Sequence, residues 1–282
     1  MRQTVRSPYS AAPIRSPLSL MSATIQTAQL SHPGRRARNE DSCGYQTSEQ
    51  SCCWIVSDGA GGHGSGDVAS QMVVRTILDN FVAQLPATSE TAAALLEAAQ
   101  NAVMSHKAAH PEGDNMHATA TVLLIDSQTL TAAWGHVGDT RVYLFRERRV
   151  VFQTRDHSVV QQFIDAGYGD TSIIRAHPHR SLLTAAIGNA DELTISVSGP
   201  PVQLIDGDVL LICSDGWWEL LEERVMEAML EDSSSVAEWL NSMARRIELN
   251  MATNSDNFSA IAVQIGEIDP VITQIQTAIV GA

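Results

Sequence analysis

Four aspartates in this chain sit beside apolar, strand-like runs, where a carboxylate is held stiffly with its oxygens facing a rim. Asp58 follows Cys52-Cys53-Trp54-Ile55-Val56-Ser57 and precedes Gly59, and Asp215 follows Leu210-Leu211-Ile212-Cys213-Ser214 and precedes Gly216. Asp139 follows Trp134-Gly135-His136-Val137-Gly138, and Asp256-Asn257 leads into Phe258-Ser259-Ala260-Ile261-Ala262-Val263. Asn39-Glu40-Asp41 adds two acids in a loop ahead of a strand. Several such carboxylates brought together make a site for hard divalent cations, which take oxygen ligands. Taken singly, each Asp also reads as a turn cap, because Asp-Gly is ordinary turn chemistry. The repeated strand-Ser-Asp-Gly segments ending at Gly59 and Gly216 make four independent caps the less economical reading.

The stretch from Asp58 to Gly66 holds five glycines in nine residues. Glycine lets the backbone approach a ligand or take positive φ. No Gly-Lys-Ser/Thr follows, so this is not a phosphate-binding P-loop, and the dinucleotide fingerprint with its βαβ context is also missing. Its expected role is to turn the Gly59 carbonyl toward a metal beside Asp58. The cysteines, Cys43, Cys52, Cys53 and Cys213, form no C-x-x-C pair and read as small buried hydrophobes in a reducing cytoplasm. Neither a cysteine nucleophile nor a structural zinc is expected from them.

The elements that must position these acids follow from patterning in the 282-residue chain. Residues 1–22, with three arginines and no acid, read as a disordered tail or a start assigned too early, Met21 being the alternative first residue. They lack the apolar block of a secretory signal. Strands are expected at 23–30, 43–47, 52–57, 118–126, 129–136, 141–146, 149–154, 192–198, 208–213 and 258–265. Helices are expected at 67–84, 88–109, 158–166, 219–231 and 234–250. Residues 155–190 read as an irregular surface insertion, and 267–282 as a weakly patterned tail. Paired helices interrupt runs of strands, which favours an α+β sandwich of antiparallel sheets over a doubly wound parallel sheet.

Composition narrows the chemistry. Asp and Glu number 32 against 18 Lys and Arg, for a formal charge of −14. Such a chain is poorly suited to nucleic acid or to an anionic membrane surface, and no apolar run approaches the ~18 residues of a membrane span.

The ordered set Arg36-Ala37-Arg38-Asn39-Glu40-Asp41, Asp58-Gly59-Ala60-Gly61-Gly62-His63, Gly138-Asp139-Thr140-Arg141, Ser214-Asp215-Gly216-Trp217-Trp218-Glu219 and Asp256-Asn257 resembles the metal-dependent protein serine/threonine phosphatases of type 2C, most closely the stand-alone bacterial members. The resemblance spans residues 23–266. It implies a four-layer αββα fold, a central sandwich of two antiparallel sheets flanked by pairs of antiparallel helices, with 155–190 as a flap beside the site. It implies two Mn²⁺ or Mg²⁺ ions, with a third, more weakly held. Asp58 would bridge the pair, Asp215 and Asp256 would complete the first ion's protein ligands, and the Gly59 carbonyl with Glu40 would serve the second. Asp139 would serve the third ion, Asp41 and Asn257 would orient ligands or waters, and Arg36 would grip the substrate phosphate. The implied chemistry is in-line attack on phosphorus by water acidified between the cations, with no phosphoenzyme. Metal binding is then expected to raise thermal stability. Where some relatives carry a histidine after the Asp-Gly, this chain has Ala60, so no histidine acid is assigned; His63 packs or orients the loop.

The implied substrates are phosphoserine and phosphothreonine on proteins, with a cognate serine/threonine kinase as partner and a cytoplasmic monomer as the default state. Two alternatives stand beside this: a catalytically dead regulatory module, and a hydrolase of small phosphoesters. Trp217-Trp218-Glu219 is also similar, more weakly, to phosphatases that accompany type VI secretion kinases. The remaining residues are given bland roles. His177-Pro178-His179-Arg180 reads as solvated flap, and His157 as the start of a helix. Of the adjacent Trp217 and Trp218, one is expected to pack inward and one to cover a loop. Arg146, Arg148 and Arg149 read as a solvated face, and the acidic helices of 219–250 as solubility.

Overall fold

The computed structural model describes residues 24–60, 65–110, 115–190 and 193–266. The expected tails, 1–22 and 267–282, and His63 lie outside the described residues. Two antiparallel sheets face each other. The first runs β1 (Thr24–His32), β12 (Phe258–Gly266), β11 (Val209–Cys213), β7 (Arg141–Arg146), β8 (Arg149–Gln153). The second runs β10 (Val202–Gln203), β6 (Thr131–Val137), β5 (Ala120–Asp126), β3 (Ser51–Ala60), β2 (Asp41–Gln46), with β4 (His117–Ala118) beside the end of β3 and β9 (Ser196–Val197) beside β6.

Period-2 alternation assigns each strand residue to a layer. In β3, Cys52, Trp54 and Val56 point between the sheets, where they meet Leu123, Leu210, Ile212 and Ile261. Cys53 and Ile55 point the other way, against α1 (Gly66–Asn80) and α2 (Ser89–Ala109). The first sheet likewise turns Leu211, Cys213 and Ala262 outward, against α5 (Glu223–Glu231) and α6 (Val236–Asn250). The three apolar layers so formed give the expected αββα order. Each buried Leu, Ile or Val contributes roughly 1.5–3 kcal/mol relative to exposure.

Local chemistry starts the helices. Thr88 accepts from the Thr91 N–H ahead of α2, and Ser235 from the Glu238 N–H ahead of α6. Each serves a donor that the helix leaves unpaired. Ser158 does the same for α3 (Val159–Asp165).

The structure departs from expectation where tertiary pairing overrides local pattern. The strand expected at 192–198 is only the two-residue β9, and the segment expected as 118–126 is split at Thr119 into β4 and β5. The helix expected at 219–231 starts four residues later, as α5, and a separate short α4 (Asp215–Trp218) precedes it. Residues 155–190 hold the expected short helix, as α3, together with a 3-10 turn at Thr171–Ala176 that was not expected. Trp217 and Trp218 are both buried. Arg148 and Arg149 are exposed and Arg146 partly so, as a solvated face requires, but each is also bonded. Arg146 makes two bonds to Asp208, at 2.9 and 2.7 Å, and Arg148 donates to the carbonyls of Leu230 and Glu231. Arg149 pairs with Glu227 and Glu231. These contacts staple the β7–β8 hairpin, whose tip residues Glu147 and Arg148 have positive φ, onto α5 and the turn before β11. The cysteines are free; Cys52, Cys53 and Cys213 are buried, whereas Cys43 is only half-buried.

Candidate metal centre

The two strand-Ser-Asp-Gly segments belong to opposite sheets, β3 to one and β11 to the other. β2 begins at Asp41, directly opposite Asp58 in register, and β3 continues past Asp58 by pairing Gly59 with Ala118 and Ala60 with His117. Asp58 therefore stands inside a strand, although the glycines beyond it read as loop. Thr119 fixes it from both sides: its N–H donates to the Asp58 carbonyl at 2.8 Å, and its hydroxyl accepts from the Asp58 N–H at 3.0 Å. Nothing in the sequence singled out Thr119. A Cβ at Gly59 would lie 2.0 Å from the Gly66 carbonyl oxygen and 2.7 Å from that of Glu40. Only glycine lets β3, the Glu40 loop and the start of α1 meet here.

Hydrogen bonds tie the other acids to this corner. The Ser214 hydroxyl donates to Asp41 Oδ2 at 2.8 Å, joining the two sheets beneath the site. Asn257 accepts from the Glu40 N–H at 2.8 Å and donates to the carbonyls of Pro33 and Arg38, so it holds the whole 33–40 loop. Arg36 bonds Asp256 Oδ2 at 2.8 Å on the open rim. Trp218 Nε1 donates to the Asp139 carbonyl at 2.9 Å. Below it the Arg141 guanidinium lies 3.5 Å over the Trp218 ring and takes both oxygens of Asp156 at 2.8 and 2.7 Å. Sequence reading missed this buried pair. Its only signal was Arg141 within the Gly-Asp-Thr-Arg segment.

The acids are crowded and short of cations. Burial first, then the charges of Asp41, Asp215, Asp139 and Asp256, hold the Asp58 carboxyl well above the usual carboxylate range. Asp215 is raised in the same way, by burial and then by Asp139, Glu219, Asp256 and Asp41. Burial pushes Asp139 up to about 7 and Asp41 to about 6. Glu40 is raised by burial, by Asp67 and by Asp256. Asp58 and Asp215 nonetheless keep part of their surface open to solvent. Among the described residues, Asp41 Oδ1 and Asp215 Oδ1 are buried without a hydrogen-bond partner. A buried anionic oxygen left unpaired costs free energy unless a proton or a cation joins it. All the donors are oxygens, which suits Mg²⁺ or Mn²⁺. Among the described residues no three His, Cys, Asp or Glu side chains close on one point tightly enough to hold an ion as they stand.

The cleft above has a volume of about 250 Å³, and Arg36, Asp215, Gly216 and Asp256 line it. Arg180 also lines it, bonded to Glu219 at 2.6 Å, so this flap arginine is not simply solvated. A larger groove of about 570 Å³, between β8 and residues 196–202, is lined by none of the acids.

The chain is similar to known proteins over most of its length. The family described as Protein phosphatase 2C matches residues 28–255. A serine/threonine phosphatase, stp, of Listeria welshimeri is 27% identical over 242 residues, covering 81% of this chain and 91% of the relative. The serine/threonine protein phosphatase PstP of Mycobacterium tuberculosis is 30% identical over 240 residues, covering 83% of this chain and 43% of the relative. The solved catalytic domain of a serine/threonine protein phosphatase PstP in complex with two manganese ions superposes with a TM-score of 0.72 at 25% identity, covering 87% of this chain and all of that one (100%).

Proposed function

Because the chain belongs to the protein phosphatase 2C family, we propose that it hydrolyses phosphoserine and phosphothreonine on proteins, with two divalent ions, Mn²⁺ or Mg²⁺, and a third more weakly held. The observation that carries this reading is the set of uncompensated buried carboxylates where β3, β11 and β12 meet, with two orphaned oxygens among them. Asp58 would bridge the pair of ions, with Asp215 and Asp256 completing one and the Gly59 carbonyl and Glu40 the other; Asp139 would serve the third. Bound there, such ions acidify water and neutralise phosphoryl charge.

The chain's own groups do the rest. Ser214 bonds the Asp41 carboxylate, and Thr119 fixes the Asp58 backbone. Asn257 sets the height of the Glu40 loop. Arg36 is exposed and its bond to Asp256 is a rim contact, worth at most about 1 kcal/mol. It exchanges readily for a phosphate oxygen, which a guanidinium grips in a planar fork. The acids that a dead regulatory module would have lost are all present. Free cysteines support a reducing, cytoplasmic setting, and no helix among the described residues is long and apolar enough to cross a membrane. The reading also carries a monomer opposed by a serine/threonine kinase.

Turnover of a phosphothreonine peptide and of a small aryl phosphate, each with Mn²⁺ and with EDTA, tests it. The expected result is a kcat/KM at least about tenfold higher for the peptide, abolished by EDTA. Equal or better use of the aryl ester favours the small-phosphoester alternative. Full turnover in EDTA overturns the metal reading.

A further inference from the structure

Three consecutive residues at the root of the flap, Arg155, Asp156 and His157, each grip the corner between β6 and β7 that carries Asp139. The Arg155 carbonyl accepts from His136 Nε2 at 2.8 Å, and Asp156 takes the Arg141 guanidinium. His157 holds Gly138 twice. Its backbone N–H donates to the Gly138 carbonyl at 2.9 Å, and its Nδ1 accepts from the Gly138 N–H at 3.2 Å. An amide N–H can only donate, so Nδ1 is bare and the ring proton sits on Nε2, 2.8 Å from the Ser196 hydroxyl. The ring is stacked on His136, with centroids 4.7 Å apart and planes 18° from parallel.

Gly138 needs this support. Its φ is +95°, and a Cβ there would stand 2.6 Å from Thr119 Cγ2. Thr119 is the residue that also fixes Asp58. The corner is thus wedged between His157 on one side and the Asp58 support on the other. His157 is also joined to the far side of the flap: its carbonyl accepts from the Thr184 N–H at 2.8 Å, and the next strand-like contact pairs Ser158 with Leu183. Burial, then the facing His136, lowers His157 to about 4, so the ring is neutral and keeps its bare Nδ1 at neutral pH.

We infer that His157 is a positioning residue for the reaction: through Nδ1 and its backbone N–H it fixes Gly138, and through Gly138 it places the Asp139 carboxylate relative to Asp58 and Asp215. This rests on the proposed metal-dependent hydrolysis. It assigns His157 no contact with substrate. A packing role alone would need the ring's volume but not its bare nitrogen, and substitution separates the two. His157→Phe keeps the volume and removes the acceptor. His157→Asn places an amide oxygen near the position of Nδ1.

The experiment has three readouts. First, ¹⁵N NMR of the metal-free wild-type chain is expected to show His157 protonated on Nε2; a proton on Nδ1 would overturn the inference without any variant. Second, calorimetric Mn²⁺ titration of the metal-stripped proteins is expected to weaken the weakest site by about tenfold or more in His157→Phe, a typical cost of losing a supporting contact. Third, kcat on the phosphopeptide is expected to fall by about tenfold in His157→Phe with KM within about twofold, and to return to within about threefold of wild type in His157→Asn. His157→Phe matching wild type, or His157→Asn as impaired as His157→Phe, overturns the inference while the function stands. A wild-type chain with neither Mn²⁺ affinity nor phosphatase activity overturns both.

Discussion

Two groups of buried charge lie within one corner of this molecule and are handled in opposite ways. Beneath Trp218, Arg141 and Asp156 are both almost wholly enclosed and satisfy one another with two short hydrogen bonds. One layer above, Asp58, Asp215, Asp139 and Asp41 are gathered with no basic partner bonded to any of them among the described residues, where two of their oxygens also lack a hydrogen-bond partner. The paired charges are complete within the chain and serve as a floor. The unpaired charges are complete only with something positive from outside. A buried charge that the fold has already paired argues for structure, and one left unpaired argues for a ligand.

The sharpest way to break this contrast is to neutralise one acid from each group. Asp215→Asn is expected to reduce turnover by a factor on the order of 10³ or more. The same change is expected to raise the metal-free melting temperature by about 2–4 °C, through relief of like-charge repulsion worth on the order of 1 kcal/mol. Asp156→Asn is expected to lower stability by about 3–5 kcal/mol, because it strands a buried guanidinium. Thermal melts of both variants without metal check the opposite signs. Two destabilisations of similar size would erase the distinction.

A smaller effect sharpens it through pH. Asp41 and Asp139 are raised to about 6 and about 7. A carboxyl raised on folding binds its proton more tightly in the folded chain, so its contribution to stability is present at low pH and is lost as pH rises through the raised value. His157, lowered by burial, acts in the other direction, and its contribution is complete only above the ordinary histidine value. Above about pH 6.5 the acids alone remain in play. The metal-free protein is therefore expected to lose stability between about pH 6.5 and 8, while the Mn²⁺-loaded protein does not. Melting curves with and without Mn²⁺ across that window check this. A Mn²⁺-induced shift that shrinks as pH rises would contradict it.

The sequence exposed the two groups unequally. The acids were legible because each lies beside its own strand, and a repeated Ser-Asp-Gly marks the same place in two sheets. The layering was legible from alternation, as in Cys52 and Cys53, which face different layers. The supports were not legible, because their partners meet only through pairing across the fold. Asp156 reaches Arg141 across the β7–β8 hairpin, Thr119 reaches Asp58 from the break between β4 and β5, and His157 reaches Gly138 from the flap root. The end of β3 was misread for a related reason: Gly59 and Ala60 have loop composition, but β4 pairs with them and keeps them extended. Trp217 and Trp218 were expected to divide between packing inward and covering a loop, whereas the short α4 places both against the outer core.

The most direct test is anomalous diffraction from crystals of the chain grown with Mn²⁺. The expected result is a pair of manganese peaks with an Asp58 oxygen on both and Asp215 and Asp256 on one of them. Well-ordered crystals in saturating Mn²⁺ with no anomalous density among these aspartates would contradict the central claim.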